Sequence, residues 1–275
     1  MKIAIIISGE YRTFSLCRKT MAFLDDLDND VYVTTWNFSS LKSDYLNIDI
    51  QQEITEELIK SDLNRDIIAI DIEDFDKFKG TAPTMLLMIN RWCRGIELVA
   101  QSGKEYDYIF LTRPDMFFHT GMIRKKLKDA AVNWSKDIFY CSSSKGINND
   151  VNLNDFMFLG SPKVLNALVT HDLLNDYRND NNREHGTINW HDWWYKRVIK
   201  NFKINNIPPE LDMVTLGRPV PNVVTFELAE MYHKMWFNFQ IAQHVDEGGI
   251  DRASRNWSRE VIHKALSDLE TRVPL

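Results

Sequence analysis

Residues 106–118 read YDYIFLTRPDMFF. Tyr108, Ile109, Phe110 and Leu111, and then Met116, Phe117 and Phe118, suit a buried strand. Thr112, Arg113, Pro114 and Asp115 interrupt them. An acid at the end of a core strand is costly to bury without a partner. Pro114 interrupts the strand and lets the side chains on either side be re-aimed. Two readings follow. In one, Asp115 faces a cleft and holds a divalent cation or a sugar hydroxyl, while Arg113 meets an anionic group such as a diphosphate. In the other, the stretch is a strand-end turn with a solvated ion pair.

A second knot is SGEYRT, residues 8–13. A glycine turn between strand and helix can bring backbone N–H groups against a nucleotide. Arg12 would sit beside any phosphate bound there; its plainer role is a surface ion pair. Neither GxGxxG nor GKS/T occurs, so the dinucleotide fingerprint and the P-loop are both absent. In INWHDWWYKRV, residues 188–198, Asp192 reads as a helix N-cap. His191 reads more readily as a surface or packing residue than as a metal ligand. Asn154–Asp155 precedes an aromatic run and suits a turn. Arg252, Arg255 and Arg259 share one face if a helix begins that early. That face could close over a diphosphate or lie solvated.

These residues need elements to position them. KIAIIISG is a short β-branched run suited to a strand buried on both faces. A rough helical stripe follows over 11–27. DVYVTTW and IIAIDI are further strands. APTMLLMINRWCRGIELVAQS, with Pro83 near its start and Gly103 just past its end, is a helix. YDYIFLTRPDMFF, DIFYCSS and NDFMFLGS complete the strands, and Ser161–Pro162 opens another helix as N-cap and first turn. The polar stretch 171–189 reads as a loop excursion and the remainder as helical. Strands alternating with helices indicate an α/β fold with a mainly parallel sheet, whose ligands bind at the carboxyl ends of strands. The expected division is an α/β ligand-binding domain over 1–205 and a helical C-terminal region over 206–275 packed on it.

The chain has 275 residues, 44% hydrophobic and 26% charged, enough for one substantial core. Its net charge of −6 gives no support to a whole-surface nucleic-acid binder. Cys17, Cys93 and Cys141 are irregularly spaced and contain no CxxC, which suits a reducing cytoplasm. No stretch is long and apolar enough for a membrane helix.

The order IIISGEYRT, VYVTTW, YDYIFLTRPDMFF, NDFMFLGSP resembles the WavE-type polysaccharide and lipopolysaccharide glycosyltransferases, over roughly residues 1–200. Leu111 stands where the pattern has an arginine. The resemblance implies a GT-A-like α/β fold and transfer of a sugar from a nucleotide-sugar donor to a hydroxyl acceptor. It implies donor contacts at Ser8, Gly9, Arg12, Thr13, Trp36, Arg113, Asp115 and Asp155. It also implies Mn²⁺ or Mg²⁺ at Asp115, in the place of the usual acidic pair. Asp192, or Glu184 in its stead, would be the base of an inverting displacement. Trp190 and Trp193 would stack on the acceptor and Arg255 would touch it. That acceptor is a glycan or lipopolysaccharide. The alternatives are a bacteriophage-type enzyme acting on a hydroxylated base in DNA, and a non-catalytic sugar- or nucleotide-binding module.

Overall fold

A computed structural model of the chain describes residues 1–11, 14–18, 21–43, 48–77, 84–118, 134–145, 151–169, 172–173, 175–177, 179, 190–206 and 213–215. The chain divides into two compact units, Met1–Pro219 and Val220–Leu275. The second lies outside the described residues, as does most of the expected helical region over 206–275.

The first unit is built on a seven-stranded sheet. Inside it lies β1 (Ile3–Ser8), whose six residues are all buried. A run of four isoleucines broken only by Ala4 suits a strand covered on both faces. β1 pairs in parallel with β2 (Asn29–Trp36) on one side and β6 (Tyr108–Thr112) on the other. Beyond β2 lies β5 (Ala69–Glu73), again parallel. Beyond β6 runs β9 (Val151–Gly160), antiparallel to both β6 and β8 (Ile138–Lys145). The far edge, β10 (Lys203–Asn206), is parallel to β8. This is the mainly parallel sheet flanked by helices that the sequence leads one to expect.

One face of the sheet is covered by α3 (Thr84–Gln101), α4 (Pro162–Leu168) and α5 (Trp190–Asn201). Trp92 of α3 and Trp194 of α5 meet Phe158 of β9 in one aromatic cluster, with ring centroids 4.7 and 5.7 Å from Phe158. Side chains alternate along a strand. Phe110 therefore points to the opposite face, where Phe23 meets it edge-on at 5.4 Å. Ser161 caps α4 as expected, its side chain accepting from the Val164 N–H. Gly103 follows α3 with φ of +65°.

Three expectations are corrected. The apolar run 106–118 is two strands rather than one. β6 stops at Thr112, and β7 (Met116–Phe118) pairs antiparallel with β11 (Met213–Thr215) in a separate ribbon. Pro114 has no N–H for the ladder, so the break falls there. Among the described residues of the stripe over 11–27, the helical elements are the short α1 (Phe14–Cys17) and a 3₁₀ turn over Ala22–Asp25. The Arg65 guanidinium donates to the carbonyls of Leu24, Asp26 and Asn29, which a continuing helix would have used itself. Within the polar stretch 171–189, residues 172–173, 175–177 and 179 are helical. Between β2 and β5 the chain adds a hairpin, β3 (Phe38–Ser43) with β4 (Ile48–Glu53), and α2 (Glu56–Leu63). No described helix is long and apolar enough to cross a membrane.

Gly95 sets how closely α3 approaches the sheet. A Cβ there would lie 2.5 Å from Cγ2 of Ile6, itself fully buried on β1. An exposed helical Gly→Ala change stabilises by about 0.5–1 kcal/mol. Here overpacking reverses the sign, and Gly95→Ala is expected to destabilise by about 1–3 kcal/mol in urea unfolding. A raised midpoint would refute the close approach. All three cysteines are free and buried, and burial pushes the thiols of Cys93 and Cys141 up to about 12. The folded chain should therefore resist Ellman's reagent at pH 8, and all three thiols should react in denaturant.

Candidate active site

The parallel strands β1, β2, β5 and β6 all end on one edge of the sheet, bringing Ser8–Gly9, Trp36, Glu73 and Thr112–Asp115 to the same side. Gly9 has φ of +129°, a region L side chains rarely adopt, and its N–H donates to the Thr34 carbonyl at 3.0 Å. A Cβ on Gly9 would touch Cδ of Pro114 at 3.5 Å. The turn after β1 and the knot after β6 are therefore close neighbours at the ends of two paired strands, although about a hundred residues separate them in sequence. Ser8 itself is fully buried. Its hydroxyl and the Arg91 carbonyl each lie 3.0 Å from Thr34 Oγ1. A carbonyl only accepts, so Thr34 gives it its proton and Ser8 completes the chain. Ser8 thus serves the joint between β1, β2 and α3.

Within the knot, Arg113 and Asp115 form a two-pronged pair. Nε donates to Oδ1 at 2.8 Å and Nη2 to Oδ2 at 2.7 Å. The side chains are 18% and 2% exposed. The ion pair is the one the second reading of the sequence expects, but its shelter is not. Asp115 is turned onto Arg113 instead of facing a cleft, and the pair is sheltered instead of solvated. Fork-to-fork geometry is the strong form of an ion pair because it fixes the relative plane as well as the distance. Among the described residues, no group of three His, Cys, Asp or Glu could hold a metal ion. As a donor set, one sheltered carboxylate already neutralised by a guanidinium is a poor fit for Mn²⁺ or Mg²⁺, because the cation would sit beside Arg113 with a single carboxylate between two positive charges.

Trp36 ends β2 and is 4% exposed. Phe75 meets its ring edge-on at 5.8 Å, and the Arg91 guanidinium lies 4.7 Å from the ring centroid. Its indole is therefore packed into the strand ends. Arg91 is the residue that sequence reasoning missed. It stands on α3, four residues before Gly95, and is 2% exposed. It donates to Asp71 Oδ1 at 2.7 Å and to the Thr35 carbonyl at 3.4 Å, and it pairs with Glu73. Arg94 takes the other Asp71 oxygen at 2.9 Å and reaches Glu97 at 3.3 Å. Burial pulls the Arg91 guanidinium below its ordinary value, while the hydrogen bond to Asp71 opposes that shift. The signal was present: an arginine inside an apolar helical stripe, and acids alternating in IIAIDIE.

On α5, Asp192 is the third helical residue, past the N-cap position expected for it. An acid in the first turn still suits the helix dipole. The side chains of Trp190, His191 and Asp192 lie outside the described part. Trp193 is 8% exposed, 5.1 Å from Tyr177 in an edge-on contact and 5.7 Å from the Arg197 guanidinium. It is a packing residue of the core, not an open platform for an acceptor sugar, because α5 turns this side toward β9 and the sheet. Asp155 is inside β9 rather than in a turn before it. Met157 pairs with Thr112, so Asp155 lies two residues past the end of β6, on the edge where the strand ends gather. Its side chain is not described, and Arg12, Thr13, Glu184, Arg252, Arg255 and Arg259 lie outside the described residues.

No protein-family model matches the chain. No curated protein matches it either. Among solved structures it is similar to the glycosyltransferase GlyE of Streptococcus pneumoniae TIGR4, at 12% identity and a TM-score of 0.42, covering 75% of this chain and 45% of that one. The apo form of GlyE is similar at 10% identity and a TM-score of 0.40, covering 74% and 45%. A glycosyltransferase involved in the glycosylation of the major capsid of PBCV-1 is similar at 8% identity and a TM-score of 0.42, covering 75% and 82%. The chain spans less than half the length of the GlyE chains.

Removing Arg91 tests the strand-end network. Arg91→Met keeps the bulk but leaves Asp71 and Glu73 without their shared cation. The expected loss is about 2–4 kcal/mol, between a charged hydrogen bond and a broken buried pair. Urea unfolding measures it, and a loss below about 1 kcal/mol would mean that the network is no more than a surface pairing.

Proposed function

We propose that this chain transfers a sugar from a nucleotide-sugar donor to a hydroxyl group of a glycan or lipopolysaccharide in the cytoplasm. One observation carries the reading: the glycine turn after β1 abuts the Arg113–Pro114–Asp115 knot after β6, at the carboxyl edge of a mainly parallel sheet. This is the edge at which such sheets bind ligands. The motif order of the WavE-type enzymes supports the same reading from the sequence.

In this reading the diphosphate lies over the junction of the two loops. Arg113, with Arg12, faces its oxygens, and Asp115 orients Arg113. Asp155 accepts hydrogen bonds from the donor sugar. The carboxylate of Asp192 takes the proton from the acceptor hydroxyl as its oxygen attacks the anomeric carbon. The bond from that carbon to the diphosphate breaks on the opposite side, and the nucleoside diphosphate leaves with the electron pair. The arginines stabilise the charge that develops there. A single displacement inverts the anomeric configuration. Mn²⁺ or Mg²⁺ has no step here, because the described donor set does not fit it.

A second reading has an observation in its favour. Asp115 is closed onto Arg113, which suits a module that binds a sugar nucleotide without turning it over. Release of nucleoside diphosphate from a panel of sugar nucleotides, with and without acceptor glycans, separates the two. An enzyme releases it; a module binds and returns the donor intact.

The base assignment has its own test. Asp192→Asn is expected to bind donor as the parent does while transfer falls by roughly 10²–10⁴-fold. The product should carry the inverted anomeric configuration by NMR. Retention of configuration, or transfer unaffected by the substitution, would remove Asp192 from this role and bring Glu184 forward.

A further inference from the structure

We infer that Arg113 takes the place of a divalent cation: the chain holds the donor's diphosphate with a built-in guanidinium and needs no metal ion for that step. The inference rests on the glycosyltransferase reading above and specifies how the donor is held.

The donor set is the first ground. Asp115 is 1% exposed, and each of its oxygens accepts from Arg113. A hard cation gathers six or more oxygen ligands at short range. A cation on the remaining lone pairs of Asp115 would be set beside the Arg113 guanidinium, with one carboxylate between two positive charges. The position two residues away that would have supplied the second acid is occupied by Arg113 itself.

Charge balance is the second ground. Two carboxylates holding a divalent ion sum to zero. One carboxylate holding one arginine also sums to zero. The pair therefore gives an incoming diphosphate the same formal setting, with the positive charge tethered instead of recruited from solution.

Geometry is the third ground. A tethered cation is useful only if it is aimed. The two parallel N–H···O bonds fix the guanidinium plane. Pro114 fixes the backbone between the partners, and its ring leaves only enough room at Gly9 for a Cβ at contact distance. Asp115 is thus a positioning residue and Arg113 the group that meets phosphate oxygens.

Calorimetric titration of the full chain with UDP, GDP, CDP and ADP tests this, once in excess EDTA and once in Mn²⁺. For whichever nucleotide binds, affinity is expected to agree within about threefold between the two buffers. Arg113→Met should weaken binding by about ten- to a hundredfold, the value of a charge-assisted hydrogen bond, with no recovery in Mn²⁺. Binding at least tenfold tighter in Mn²⁺ than in EDTA overturns the inference and leaves the glycosyltransferase reading standing. Binding that survives Arg113→Met overturns it as well. If no nucleoside diphosphate binds in either buffer, both the inference and the reading beneath it fall. The buffer comparison uses the unmodified chain, so it decides the question even if Arg113→Met does not fold.

Discussion

A guanidinium withdrawn from water must find its counter-charges inside the protein, and Arg91 imposes that demand on the strand ends. It reaches from α3 to both acids of β5, to a carbonyl of β2 and over the ring of Trp36. Its own carbonyl closes the chain through Thr34 to Ser8 of β1. Three strands and one helix are thereby held in register at the edge where the loops leave the sheet. Opposite charges in a region of low dielectric attract strongly, but only after the cost of drying them is met. The arrangement survives because Asp71 and Glu73 share the arginine and Arg94 helps to balance Asp71.

The close packing of α3 on β1 belongs to the same constraint. Gly95 lets the helix axis approach until Ile6 fills the space that a side chain would take. Arg91, one turn earlier, then meets the acids of β5. A helix held further out would leave the guanidinium short of its partners. The aromatic cluster of Trp92, Phe158 and Trp194 anchors the rest of α3 against α5 and β9.

Much of the sheet was legible because buried strands leave a blunt signal. Runs such as IAIIIS and YIFLT have few other uses, and Ser161–Pro162 marks a helix start by hydrogen-bonding chemistry that needs no tertiary context. The hairpin FSSLKS/IDIQQE had no such signature, since its polar residues carry neither helical nor strand period clearly. The interruption at Pro114 was legible, but not the separate ribbon in which Met116–Phe118 pairs with Met213–Thr215. The Arg113–Asp115 pairing was within reach of reasoning, because residues two apart share one side of an extended chain. What the sequence did not show is that the pair is sheltered from water. Arg91 was hidden for a different reason. Its meaning lies in Asp71 and Glu73, twenty and eighteen positions away, and only the β2–β5 pairing brings them together.

The position of β1 has a consequence for how the chain is made. Ile3 meets Asn29 on one side, which emerges early in synthesis, and Tyr108 on the other, which emerges late. Until β6 has cleared the ribosome, the most apolar strand of the protein has one bare edge, with its N–H and C=O groups unmatched. Such an edge recruits other chains as readily as its own. Translation across residues 37–107 is therefore the hazardous interval for this protein. Slowing synthesis there, or lengthening the hairpin insert, lengthens the exposure to aggregation without altering any contact of the finished fold.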